Sequence, residues 1–120
     1  MATVIKELKL DVGQKPTYKH IYAKQGDAAS RFLKVTLVSG NEKISLETGA
    51  IAKIRALLSD GSTVVEDAIV NDDGTVTAEL TDGILAKKGV VKADIAVYST
   101  SGQVLSTEVF CIKVQQAPIV

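Results

Sequence analysis

The stretch Ser30-Arg31-Phe32-Leu33-Lys34-Val35-Thr36-Leu37-Val38 decides the fold class. Leu33, Val35 and Leu37 point to one side of an extended chain and Lys34 and Thr36 to the other, the two-residue period of a half-buried strand. The pattern recurs downstream, with turn residues between the runs. Ser39-Gly40-Asn41-Glu42 breaks the first run and Lys43-Ile44-Ser45-Leu46 resumes it. Ile51 to Leu58 sets Ala52, Ile54, Ala56 and Leu58 against Lys53 and Arg55. Ser59-Asp60-Gly61-Ser62 then turns the chain into the β-branched run Thr63 to Val70. Asn71-Asp72-Asp73-Gly74 turns it again into Thr75 to Leu80, where Val76, Ala78 and Leu80 share a face.

The alternation stops once. Thr81-Asp82-Gly83-Ile84-Leu85-Ala86-Lys87-Lys88-Gly89 offers a cap, a short apolar stretch, terminal lysines and a closing Gly, which predicts a short helix near residues 81–88. Alternation returns in Val91, Ala93, Ile95 and Val97. After Ser99-Thr100-Ser101-Gly102, residues 103–114 form a last strand whose broken phase predicts a bulge near Thr107 to Val109. Upstream, Thr3 to Leu10 reads as an edge strand or arm, and Gly13-Gln14-Lys15-Pro16 as a loop, so residues 1–17 flank the main body. Short, evenly spaced strands with little helix read as an antiparallel sandwich or barrel. The expected fold is all-β, an antiparallel, immunoglobulin-like β-sandwich forming one domain over residues 1–120.

The composition bounds the function. The chain has 120 residues, 46% apolar and 23% charged, one Cys and no Trp. One cysteine excludes an internal disulfide framework and a multi-cysteine zinc site. Charge interrupts the first residues too early for a secretion signal, and no apolar run approaches the roughly 20 residues of a membrane span. We therefore expect a soluble chain made without export. The net charge of zero argues against nucleic acid and membrane as partners. It also hides a split: residues 1–55 carry ten basic and five acidic groups, residues 56–120 four basic and nine acidic. Segregated onto opposite faces, these would favour head-to-tail contacts around a ring. Interleaved, they give a mixed surface.

No motif for catalysis stands out. His20 is the one histidine, and without a nearby nucleophile motif or orienting acid it reads as a partly exposed strand residue. Cys111, between Phe110 and Ile112, reads as a small buried hydrophobe. Asn71 to Gly74 invites comparison with a calcium loop, but aligned on Gly74 the first ligand position holds Ile69 and the twelfth Leu80. A hairpin turn accounts for it better. The chain has five aromatics, of which Tyr18 and Tyr22 lie near basic residues, weak support for a stacking surface. No catalytic residue, cofactor or metal is expected, and binding or assembly is the default.

One segment carries this further. Residues 21–37, with Lys24-Gln25-Gly26-Asp27, then Ser30-Arg31 and an alternating strand, resemble the opening of the N-terminal domain of phage baseplate upper proteins. Those proteins belong to tailed phages and prophages of Gram-positive bacteria. The resemblance extends through Leu46-Glu47-Thr48-Gly49-Ala50, the strand bearing Arg55, the Ser59-Asp60-Gly61-Ser62 turn, and the closing hairpin at Gly102 to Thr107. It implies a structural, non-enzymatic role in the virion tail baseplate, in a chain made in the host bacterial cytoplasm. The implied partners are other baseplate proteins in a symmetric assembly: the distal tail protein at the central hub and, toward host attachment, the receptor-binding protein. Lys24, Gln25, Gly26, Asp27, Ser30 and Arg31 are its motif positions, as structural or partner contacts. Longer members carry downstream helices, whereas this sequence ends at Val120 and reads as an isolated N-terminal portion. A carbohydrate-binding or adhesin-like β-sandwich is the other class considered, weakened by the missing tryptophan.

Overall fold

Ten strands are present in the computed structural model, which describes residues 3–13, 19–27 and 30–116. They are β1 (Val4–Asp11), β2 (His20–Lys24), β3 (Arg31–Ser39), β4 (Glu42–Lys43), β5 (Ile51–Leu57), β6 (Thr63–Val70), β7 (Val76–Glu79), β8 (Gly89–Tyr98), β9 (Val104–Ser106) and β10 (Phe110–Gln115). The strand order is β1-β3-β7-β6-β5-β8-β10-β2, with β4 added beside β3 and β9 beside β8. Leu33, Val35 and Leu37, the residues that announced the fold, are fully buried in β3. They face Ile54 of β5, Ile95 of β8, and Phe110 and Ile112 of β10 in one continuous core. Each such side chain contributes about 1.5–3 kcal/mol on leaving water.

The all-β class holds, but the immunoglobulin-like, wholly antiparallel sandwich does not describe this chain. The strands form one mixed sheet, curled into a half-barrel. Strand β6 causes the curl: Thr63 to Ala68 have partners or neighbours in the β5 ladder, while Ile69 and Val70 pair with β7. The chain thus passes from one layer to the other within a single strand. Two pairs are parallel, β1 with β3 and β2 with β10. A two-residue period says which face is buried but carries no information about a neighbour's direction, so the sequence pattern could not reveal them.

The short helix near residues 81–88 is also absent; no helix occurs among the described residues. The Thr81 hydroxyl accepts from Ile84 N at 3.4 Å and Leu85 N donates to Thr81 O at 3.0 Å, but the turn does not propagate. The carbonyls that follow tie the segment to other elements: Leu85 O accepts from Gly26 N, Ala86 O from the Gln25 amide, and Lys88 O from the Ser59 hydroxyl. A single turn fixes several residues for one bond and is unfavourable without continuation. Burial of Ile84 and Leu85 in the core holds the segment instead.

The edge strand expected over Thr3 to Leu10 is β1, while the loop expected at Gly13 to Pro16 lies, apart from Gly13, outside the described residues. The predicted last strand is two. Against β8 the register advances by one residue between β9 and β10, the mark of a bulge at residues 107–109. The bulge turns Thr107 and Glu108 toward β1: Val12 bridges Thr107, Glu108 N donates to Asp11 O at 2.6 Å, and a Glu108 carboxylate oxygen accepts from Asp11 N at 2.8 Å. This clasp joins the two edges of the curled sheet at one end.

Candidate functional site

The motif Lys24 to Arg31 lies at the opposite end of the seam between the edge strands. Lys24, exposed, ends β2, and its carbonyl accepts from Asp27 N at 3.2 Å. Gly26, third in this four-residue turn, has φ 85°, a value a type II turn reserves for glycine. Gln25 N donates to Gln115 O at 2.7 Å and its side-chain amide to Ala86 O at 2.8 Å. The Asp27 carboxylate accepts from Arg31 Nε at 2.5 Å. Ser30 O accepts from Val4 N, and Arg31 O from Leu80 N. All six motif positions therefore fall in one junction that ties β1, β2, β3, β10 and the 81–88 segment together.

Beside it the seam opens into a cavity of about 230 Å³. Val4 and Lys6 of β1, His20 and Tyr22 of β2, and Arg31 of β3 reach its lining, and Leu33 and Leu80 add apolar surface. No acid lines it. His20 is an exposed strand residue, as expected, on the outward phase of β2. Tyr22 is 58% exposed, with the Lys113 ammonium 5.7 Å from its ring centroid. Tyr18, its expected companion, lies outside the described residues.

A second cluster lies on the outer face of β5 and β8. Arg55 and Asp94 are direct cross-strand partners, and the guanidinium engages the carboxylate through Nε at 2.8 Å and Nη2 at 2.6 Å. Nη2 also donates to the Ser106 hydroxyl of β9 at 2.9 Å. The hydrogen bond to Asp94 raises the Arg55 pKa above its ordinary value, against a smaller opposing effect of burial. Leu57, Val65 and Val109 flank this cluster with apolar surface. Asp94 and Ser106 escaped sequence reasoning because 39 and 51 residues separate them from Arg55 and only the register brings them together.

The remaining singled-out residues are structural. Cys111 is buried. Asn71 to Gly74 is the expected hairpin turn, closed by Gly74 N to Asn71 O and Asn71 N to Thr75 O. Hydrogen bonds from the Thr75 hydroxyl and amide, aided by nearby Lys34, hold the Asp73 carboxyl at a pKa of about 2. Ser62 similarly lowers Asp60. Three ion pairs, Lys34–Asp73, Lys53–Asp67 and Arg55–Asp94, join a base of residues 1–55 to an acid of residues 56–120, while Arg31–Asp27 lies within the first half.

Neither surface holds a constellation that names a reaction, and comparison with known proteins supplies the missing context. A profile of the BppU (baseplate upper protein) N-terminal domain matches residues 4–120. The chain belongs to that family. Among solved structures, the N-terminal domain of phage TP901-1 ORF48 has the same fold, with a TM-score of 0.70 at 15% identity over 93% of this chain and 99% of that one. No match was found among curated proteins. Family membership gives the chain a phage baseplate structural role, and with it a place among the proteins of the virion tail.

Proposed function

We propose that this chain is a non-enzymatic docking domain of the tail baseplate, folding as one unit and attaching through protein–protein contacts to the distal tail protein at the central hub. On this reading it links the hub toward the receptor-binding apparatus, as part of a symmetric assembly, after synthesis in the host cytoplasm. The observation that carries the reading is the family match across residues 4–120. The surface supports it: Ile51, Leu57, Val65, Ile69, Val104 and Leu105 are each at least 40% exposed on a small β-domain, the kind of apolar area that assembly covers. The motif residues Lys24, Gln25, Gly26, Asp27, Ser30 and Arg31 build the junction beside the seam; their role is to hold its two edges in place. Co-expression with the distal tail protein of the same phage tests this. A complex that co-purifies through gel filtration is expected, and two separately eluting proteins would contradict it.

A further inference from the structure

The edge strand β1 directs half of its backbone groups away from the sheet. In the parallel ladder between β1 and β3, Val4 N donates to Ser30 O at the start and Val12 N to Val38 O at the end. Even-numbered residues of β1 therefore use their backbone groups on β3, and odd-numbered ones direct theirs to the outer edge. At Asp11 that edge is closed by Glu108, and at Lys9 the carbonyl accepts from the Lys19 ammonium. At Ile5 and Glu7 no described residue bonds to the outward N–H and C=O. Val4 and Ile5 are 51% and 61% exposed there, whereas the same strand is buried at Leu8 and Leu10. An unpaired, partly apolar edge is a template for another strand.

The cavity beside this edge says what that strand carries. Its 230 Å³ is below the roughly 300–1,000 Å³ of ordinary small-molecule pockets, so it suits a side chain or two rather than a metabolite. Lys6 projects on the inward phase of β1 with no acidic partner among the described residues. Asp27 occupies Arg31 through Nε, leaving the Nη donors. The lining is thus cationic and apolar, complementary to an acidic residue flanked by apolar ones.

We propose that the outer edge of β1 at Ile5 and Glu7 accepts, by strand addition, an extended segment of a partner baseplate protein, with a carboxylate of that segment seated against Lys6 and Arg31. The inference rests on the docking role above and deepens it by naming the surface and the chemistry of the partner. Main-chain bonds to Ile5 and Glu7 would supply attachment, and the cavity specificity.

The test uses the chain with the distal tail protein of the same phage, by calorimetry and amide hydrogen exchange. Glu7→Pro deletes an outward N–H that β3 does not use, so the strand survives while its edge is blocked. We expect Glu7→Pro to weaken binding at least tenfold with the melting temperature little changed. Lys6→Glu should weaken it at least fivefold. Hydrogen exchange, which needs no variant, should show the Ile5 and Glu7 amides exchanging fast in the free chain and slowly in the complex. A wild-type complex that leaves these amides unprotected and tolerates Glu7→Pro overturns strand addition but keeps the docking role. No binding by the wild type overturns both. Concentration-dependent self-association that protects the two amides assigns the edge to a second copy, and overturns the proposed partner.

Discussion

Gly89 is the position where one added carbon should cost most. It opens β8, pairs with Val114 of β10, and has φ 118°, outside the range side-chain-bearing residues adopt. A Cβ built there would lie 2.8 Å from Ser59 Cβ and 3.0 Å from Ser59 Oγ. Gly89→Ala therefore incurs two penalties: about 1–3 kcal/mol for the backbone conformation and about 1–3 kcal/mol for the forced overlap. Their sum, about 2–6 kcal/mol, is a large part of the roughly 5–15 kcal/mol that holds a domain folded. The two terms separate in a Ser59→Gly background, which removes both clashing atoms. Ser59→Gly alone loses an exposed hydrogen bond of 2.7 Å to Lys88 O, about 0.5–1.5 kcal/mol. In that background Gly89→Ala should cost only the conformational term. Urea denaturation of the four proteins gives the cycle, with a coupling of about 1–3 kcal/mol expected. A Gly89→Ala cost below about 1 kcal/mol, or one equal in both backgrounds, would refute the reasoning.

Three further outcomes follow from the same geometry. Gly26→Ala meets open space, so it should lose only the backbone preference, about 1–2 kcal/mol by urea denaturation, far less than at Gly89. The Arg55–Asp94 pair is more than a third exposed on its arginine side; a double-mutant cycle should give a coupling of only about 0.5–1 kcal/mol, shrinking as salt is added. Asp73, at about 2 in the folded chain against an ordinary 3.8, lets the unfolded chain take up the proton first as pH falls. Its contribution is present above about pH 4 and fades toward about pH 2. Carboxyl NMR should show the low value, and Thr75→Val should raise it part of the way, because the Thr75 amide still donates.

Much of the fold was legible because burial alternates so cleanly. Ala52, Ile54 and Ala56 are buried and Lys53 and Arg55 are not, as their spacing requires. The bulge was readable too, since the loss of phase at Thr107 is the bulge itself. What stayed hidden was pairing. The parallel neighbours of β1 and β2, the passage of β6 between layers, and the Glu108 clasp on Asp11 all depend on contacts between distant segments. The 81–88 segment misled for a different reason: its cap and terminal lysines are real helix signals, but only one turn forms, and the segment is held by core burial of Ile84 and Leu85 and by bonds to Gln25, Gly26 and Ser59. At the candidate site the sequence marked Lys24 to Arg31 through resemblance, while the outward direction of the Ile5 and Glu7 backbone groups emerged only from the register of β1.

The central claim is that this chain works as a built-in part of the tail baseplate. Cross-linking mass spectrometry on purified virions tests it most directly, because Lys6, Lys24 and Lys113 all belong to its edge strands and the strand beside them. The account predicts that the chain is present in virions and that its lysines cross-link to the distal tail protein. Virions that lack the chain, or contain it with no cross-link to any baseplate protein, would contradict it.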